Sequence, residues 1–556
     1  MQQPAVYLID FLAGNIRSLA NAIEKVGYRV EWIKSPEDVA KANVSADFTD
    51  TVVSRGVGNF GHCMSQFSAK GYSSAIQRYI ESGKPFMGIC VGLQVLFEGS
   101  DEDLSIPGLG VITGRLEKFD KSSKSVPHIG WNNAHFQDTD PINGISTNSK
   151  YYYVHSYKFP YRKGELESQG WTVATAKYGD EEFVGAIAKE NVLATQFHPE
   201  KSGAAGLRVL KAFLDGTKAT HVNATDIQTT PYGLTKRIIA CLDVRTNDQG
   251  DVVVTKGDQY DVRDKLAGGG VRNLGKPIDM ARKYYEQGAD EITFLNIMSF
   301  RNLPLADLPL LEILRKTSET VFVPLTIGGG IKDTIDIDGR KVSALEIAKL
   351  YFHNGADKVS IGSEAVVAAQ EYFTAGKRLT GRTAIEQISS AYGNQAVVVS
   401  VDPKRVYVAD PTSTKHHTIK SEYLGPEKEE YCWYICTIKG GRETRDIDVV
   451  ELVQAVEVMG AGEILLNCID KDGTNSGFDL ELINQVKQSV KIPVIASSGA
   501  GNPCHFEEVF SKTQVDAALG AGMFHRGEYT VLEVKEHLLC KDIIIRPNES
   551  PYESYS

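Results

Sequence analysis

"GADEITFLN" (288–296) and "GAGEILLNC" (460–468) are one short pattern met twice in the same chain. Three further pairs follow in the same order. "VPLTIGGGI" (323–331) is echoed by "IPVIASSGA" (492–500), and "ADKVSIGS" (356–363) by "VDAALGAG" (515–522). "RIIACLDV" (237–244) pairs with "AVVVSVDPK" (396–404), each an apolar strand ending in aspartate. One such echo is within chance, but four in register are not. The period is far too long for a solenoid repeat. It reads as a duplicated half-barrel with four strands per half, and so as a (β/α)8 barrel.

Working outward, 556 residues are too many for one core, and size scaling favours two or three domains. Strand-like and helix-like segments alternate throughout, which is α/β patterning. The alternation lapses after residue 215 in a stretch rich in Thr, Asn and Gly, which reads as a linker. The predicted organisation is an open, mostly parallel α/β domain over 1–215, a linker over 216–234 and the barrel over 235–556.

Hydrophobic residues at 42% and charged residues at 24% are ordinary globular material. A net charge of −11 argues against nucleic acid or an anionic membrane as the main partner. It leaves room for small phosphorylated substrates, which need only local donors. The start, "MQQPAVYLIDFLAGN", has no basic segment followed by an apolar one, so no signal peptide is expected. No apolar run reaches the ~18 residues of a membrane span. The eight cysteines are scattered without C-x2-C pairs, and Cys432 and Cys436 share one strand face as buried small residues. No metal is expected, and the cytoplasm is the expected compartment.

In the first domain, "KPFMGICVGLQVLFEG" (84–99) sets Cys90 between two glycines, after an apolar run and before a helix-like one. That is the thiol form of the strained strand-to-helix elbow, with Gly88 and Gly92 permitting the turn. A helix N-terminus there lowers a thiol pKa. By itself the pattern also suits a buried structural thiol. "NVLATQFHPEKSG" (191–203) carries His198-Pro199-Glu200 at the end of an apolar strand. Residues i and i+2 of an extended chain share a side, so Glu200 is placed to support the His198 imidazole. Together these residues make a nucleophile, a base and an orienting carboxylate.

In the barrel, chemistry belongs at the C-terminal ends of strands. Asp243 ends strand one and Asp402 ends strand five, half a barrel away, a pair suited to general acid–base work. Glycine-rich turns follow strands three and four (Gly329, Gly330, Gly362, Ser363) and strands seven and eight (Gly499, Gly501, Gly520, Ala521, Gly522). Such turns expose backbone N–H groups to an anion. Two symmetry-related sets predict a substrate with a phosphate at each end. The stretch 255–275 follows a second candidate strand segment, "DVVVTKG", and reads as a loop able to close over the mouth, with Lys256 at its base.

"GICVGLQ" with "QFHPEKS", "GVGNFG" (56–61) and "YYYVHSY" (151–157) resembles the class I glutamine amidotransferases over essentially the whole first domain. The resemblance implies that Cys90 attacks the glutamine amide, His198 shuttles the proton and Glu200 orients His198. It further implies that backbone N–H groups near Gly56 and Val57 bind the oxyanion and that Gln94 seats the substrate. This chain departs from that pattern at Arg55, where the family carries proline; arginine frees φ and adds an N–H.

"KRIIACLDVR", "GADKVSIGS", "AVVVSVDPKRV", "GAGEILLNCIDKDGTNSGFD" and "IPVIASSGAG" resemble the cyclase barrels of histidine biosynthesis. That likeness implies that the barrel joins ammonia to a bisphosphorylated formimino-AICAR ribonucleotide and releases imidazole glycerol phosphate and AICAR. Asp243 and Asp402 become the acid–base pair. Asp470, at the end of strand six, and Gly473 belong to the substrate site. Ammonia passes through the barrel behind a gate of Arg237, Glu291, Lys358 and Glu463, although stabilising ion pairs would look the same in sequence. No cofactor is implied, and with both halves on one chain a monomer is expected. Met298 departs from the small hydroxyl residue expected at the mouth. His416 and His417, in an insertion after strand five, read as solvated loop residues. Two other readings stay open: an ammonia-dependent cyclase with a non-catalytic first half, and a sugar-phosphate isomerase barrel fused to a glutaminase.

Overall fold

The computed structural model describes residues 4–9, 14–41, 51–56, 58–136, 142–217, 233–246, 252–255, 274–296 and 309–549. Val57, Lys256, Met298, most of the expected linker and nearly all of the expected mouth loop lie outside the described residues.

The N-terminal part is built on an eight-stranded sheet. Strands Arg29–Ile33, Ala5–Ile9, Thr51–Gly56, Phe86–Cys90 and Val192–Thr195 run parallel across it in that order. Glu181–Lys189, Thr172–Tyr178 and His135–Phe136 extend it antiparallel. Phe86–Cys90 is buried along its whole length, as expected of a central parallel strand covered on both faces. A separate pair, Tyr151–His155 with His128–Asn132, lies apart from this sheet.

The C-terminal part is a closed barrel of eight parallel strands: Arg237–Thr246, Glu291–Asn296, Leu325–Gly328, Lys358–Ile361, Val397–Val401, Glu463–Asn467, Val494–Ser497 and Ala517–Gly520. The last pairs with the first, Arg237 opposite Ala517, which closes the ring. Local sequence starts several of its helices: capping boxes stand at Ser343/Glu346, Thr383/Glu386, Asp448/Glu451 and Thr530/Glu533. The segment Val252–Thr255 pairs antiparallel with strand one, Asp243 opposite Thr255, so it is a hairpin arm outside the barrel count. A short connection allows only the antiparallel pairing, because a parallel neighbour needs a crossover.

The insertion after strand five folds into its own antiparallel sheet around Tyr431–Ile438. This corrects the expectation for His416. The sheet turns the loop back, and His416 stacks on Trp433 with ring centroids 3.9 Å apart. It is buried beside Asp446 and Asp448, whereas His417 is solvent-exposed as expected.

The two parts dock at the N-terminal ends of the barrel strands. Lys201 Nζ meets Asp357 Oδ2 at 2.6 Å, and Asn15, the N-cap of helix Ile16–Lys25, donates to Gly355 O at 2.7 Å and Asp357 Oδ1 at 3.0 Å. Trp131 donates from its indole to Asp290 O at 3.2 Å, and the Arg546 guanidinium lies over its ring at 4.1 Å.

Helix Gly203–Leu214 packs its backbone onto the turn that holds His198; a Cβ at Gly206 would sit 1.8 Å from the Pro199 carbonyl oxygen. Gly206→Ala is therefore expected to cost ~1–3 kcal/mol of stability, the range for forced overpacking. A lower urea midpoint of the N-terminal part measures it, and an unchanged midpoint would show that the turn yields freely.

Candidate functional site

Strand Phe86–Cys90 delivers the Cys90 thiol to the edge of a one-turn helix, Val91–Gln94. Cys90 sits at φ 56° and ψ −107°, a conformation that a non-glycine residue holds only when its surroundings compel it. The compulsion is visible next door: a Cβ at Gly88 would lie 2.5 Å from the Gly92 carbonyl oxygen, so strand and turn touch backbone to backbone. The expected helix dipole is confined to this single turn. Gly56 is in register opposite Cys90 on the neighbouring strand, and Arg55 opposite Ile89.

His198 Nδ1 and Glu200 Oε1 are 2.9 Å apart, and Cys90, His198 and Glu200 are 5%, 1% and 0% exposed. The route to that contact differs from the expected strand alternation. The strand ends at Thr195, and Pro199–Lys201 forms a 3-10 turn with proline at its start. It is this turn that folds Glu200 back onto the ring, since proline's fixed φ suits the first position of a helical turn. The turn is pinned to the tyrosine strand. His198 N–H donates to Tyr152 O at 2.9 Å, Tyr152 N–H donates to Ser202 Oγ at 2.9 Å, and Ser202 Oγ donates to His198 O at 2.6 Å.

Burial alone would push the His198 imidazole down, but the Cys90 and Glu200 charges outweigh it and lift its pKa from 6.5 to about 9. His198 Nε2 is buried without an oxygen or nitrogen partner, which leaves the thiol as its neighbour. Gln196, which the sequence reading passed over, donates from Nε2 to Cys90 Sγ at 3.5 Å. Gln94 is buried and donates to Gln196 Oε1 and to Tyr157 O, both at 3.2 Å.

At the barrel mouth, Asp402 accepts from Asn467 Nδ2 at 2.9 Å. Burial raises the Asp402 carboxyl above its ordinary range, Asn467 opposes the shift and Asp472 adds to it. Burial also lifts the Cys241 thiol, with Asp243 and then Asp472 contributing. Asp243, Asp402 and Asp472 thus share one electrostatic neighbourhood. Asp470 does not join them: strand six ends at Asn467, and Asp470 is exposed in the following turn, where it accepts from Arg405 N–H at 2.7 Å. Gly473 lies in the same turn.

The glycine turns repeat their geometry. Gly329 and Gly499 both have φ 93°, and a Cβ would lie 2.2 Å from Asn296 O at the first and 2.1 Å from Gly477 O at the second. Gly330 follows Gly329; Gly362 caps helix Ser363–Thr374, and the Ser363 hydroxyl accepts from Lys439 N–H at 2.9 Å. Gly501 N–H is taken by His505 Nδ1 at 3.1 Å. Gly520 ends strand eight, and Ala521 caps the short helix that Gly522 begins.

At the opposite end, Arg237, Glu291, Lys358 and Glu463 close a ring of alternating charge, all buried. Arg237 meets Glu291 at 3.0 Å and pairs with Glu463; Lys358 meets Glu291 at 2.7 Å and Glu463 at 2.8 Å. Burial pushes the Glu463 carboxyl up, but Arg237 and Lys358 hold it down at about 2. Between this ring and the first site lies a cavity lined by Asn15, Tyr152, His198 and Lys201 on one side and by Asp357 and Lys358 on the other. Its volume of about 30 Å3 admits water-sized molecules, which need roughly 10–15 Å3 each.

A thiol–imidazole–carboxylate site on an open α/β sheet is joined in one chain to a duplicated (β/α)8 barrel. Residues 7–216 match the family Glutamine amidotransferase class-I, and 237–530 match Histidine biosynthesis protein. The chain is 66% identical to imidazole glycerol phosphate synthase hisHF of Emericella nidulans, over 98% of this chain and 99% of that one. It is 56% identical to the Schizosaccharomyces pombe hisHF protein (97% and 99% covered) and 50% identical to the chloroplastic one of Arabidopsis thaliana (97% and 89%). The chain belongs to the imidazole glycerol phosphate synthase hisHF family.

Because the folded His198 pKa lies above its ordinary 6.5, the protonated ring's contribution to stability is full below pH 6.5 and is lost as pH rises through about 9. In Glu200→Gln the imidazole is expected to titrate at lower pH than in the parent, followed by NMR of labelled histidine. An unmoved titration would remove Glu200 from the set.

Proposed function

We propose that the chain hydrolyses glutamine at Cys90 and delivers the ammonia to a cyclisation site at the far mouth of the barrel. The observation that supports this reading is the cavity lined by both His198 and Lys358 at the base of the barrel. The Cys90 thiolate attacks the side-chain amide carbon, and backbone N–H groups at Gly56 and Val57 receive the oxyanion. Protonated His198 gives its proton to the leaving nitrogen, and ammonia departs. His198 then activates water to hydrolyse the thioester, releasing glutamate.

Ammonia crosses the charged ring into the barrel core, whose inward residues include Ile239, Cys241, Val398, Leu465, Ile495 and Leu519. This apolar bore holds a small neutral amine away from the protons of bulk solvent. At the mouth, the phosphates of the formimino-AICAR ribonucleotide rest on the two glycine cradles. Asp243 and Asp402 move protons as the nitrogen adds, the adduct cleaves and the imidazole ring closes, giving imidazole glycerol phosphate and AICAR. The raised carboxyl of Asp402 suits the acid of that pair, and Asp472 stands in the place first assigned to Asp470. No helix among the described residues is long and apolar enough to cross a membrane. The proposal includes a cytoplasmic monomer divided as 1–215, 216–234 and 235–556.

The test is consumption of the formimino-AICAR substrate with glutamine or with an ammonium salt. Cys90→Ala is expected to lose glutamine-driven turnover and keep ammonium-driven turnover; loss of both would refute the division of labour. Asp243→Asn is expected to stop turnover with either donor, and a near-parental ammonium rate would strike that residue from the mechanism. If the parent works only with ammonium, Arg55→Pro is the variant expected to restore the glutamine reaction.

A further inference from the structure

Behind the glutaminase site two imidazoles are buried in an aromatic cluster with Phe119, Tyr153, Tyr178 and Phe183. His128 is 0% and His155 3% exposed. Phenyl rings would fill that space without burying polar atoms, so the four ring nitrogens need a reason, and each has a partner. His155 Nδ1 lies 2.8 Å from Tyr157 O, and His155 Nε2 lies 3.1 Å from His128 Nδ1. His128 Nε2 lies 3.2 Å from Asn132 Nδ2, which also donates to Lys177 O at 2.9 Å.

The chemistry of the ends fixes the direction of the chain. A carbonyl only accepts, so His155 carries its proton on Nδ1. In a neutral ring Nε2 then accepts, which requires the proton of His128 on Nδ1 and leaves its Nε2 to accept from Asn132. The Asn132 orientation agrees, because its Oδ1 accepts from Asn133 N–H at 2.9 Å. Burial holds both rings neutral: it lowers His155 to about 3 and His128 well below 6.5.

The chain ends on the carbonyl that also accepts from Gln94; Gln94 bonds Gln196, and Gln196 donates to the Cys90 sulfur. We propose that His155 and His128 are positioning residues for the glutaminase reaction, a one-directional hydrogen-bond relay that holds the Tyr157 carbonyl and, through Gln94 and Gln196, the donor against the Cys90 thiol. The inference rests on the glutaminase reading above.

The test compares His155→Phe, which keeps the aromatic volume and removes the donor, with His155→Asn, whose amide reproduces the Nδ1 donor. Three readouts are taken on the full chain: kcat/KM for glutamine, ammonium-driven turnover, and the rate at which iodoacetamide alkylates Cys90. The Phe variant is expected to lose about tenfold to a hundredfold in glutamine kcat/KM, the effect of a slightly misplaced group. It should alkylate more slowly and keep ammonium-driven turnover, while the Asn variant recovers most of both losses. Parental kcat/KM in the Phe variant, or equal losses in the two variants, would overturn the relay. Should His155→Phe also lose ammonium-driven turnover, the same comparison moves one ring outward to His128→Phe and His128→Asn, where equality again overturns it. A parent inert with glutamine but active with ammonium would sink the glutaminase reading instead, and Cys90 alkylation alone would then judge the relay.

Discussion

Four charges buried at the base of the barrel constrain everything around them. Arg237, Glu291, Lys358 and Glu463 come from strands one, two, four and six, and each cation touches both anions. Removing any member would strand its partners in a medium where an unpaired charge is very costly. The ring therefore demands a closed barrel, with these four strands starting at one level. It also demands a cover, because the same end of the barrel is where the N-terminal part docks. Such a ring is weak evidence for stability, since an apolar plug of equal volume would serve as well or better. The ring lies at the surface where the N-terminal part and the barrel dock.

The docking surface is organised by the elements that hold the first site. Lys201 closes the 3-10 turn of His198 and Glu200, and its ammonium reaches Asp357, the residue before Lys358 of the ring. A displacement of either part would be felt within one residue of a charge in the other. The chemical sites at the far ends stay apart: the aspartates occupy the C-terminal ends of the barrel strands and the thiol lies beyond the N-terminal ends. Between them lie the cavity at the docking surface and the apolar core of the barrel.

Much of this was legible in the chain itself, for a physical reason. A nucleophile elbow is a local device, so Cys90 with its flanking glycines announces it within five residues. The tight turns at the barrel mouth are likewise written in glycine, because only a missing Cβ allows the close backbone approach at Gly329 and Gly499. Strand-end aspartates are readable wherever the strand boundary is. Where the boundary moved, the reading moved with it. Strand six stops at Asn467, so Asp472 rather than Asp470 reaches the neighbourhood of Asp402. The strand before His198 stops at Thr195, so a helical turn, not strand alternation, sets Glu200 against the imidazole. His416 was misplaced because a loop that pairs into a sheet buries residues that a free loop leaves wet.

The sequence by itself determined the two architectures and the internal duplication, because each is encoded in short-range pattern or in repetition along the chain. Only the tertiary structure decided which groups meet across long separations. Gln196 came to rest on Cys90, Lys201 on Asp357, and four charges from four strands closed into one ring. Pattern along a chain records local backbone preference and burial. Contacts between distant segments follow from strand register, turn geometry and docking, which no single stretch contains.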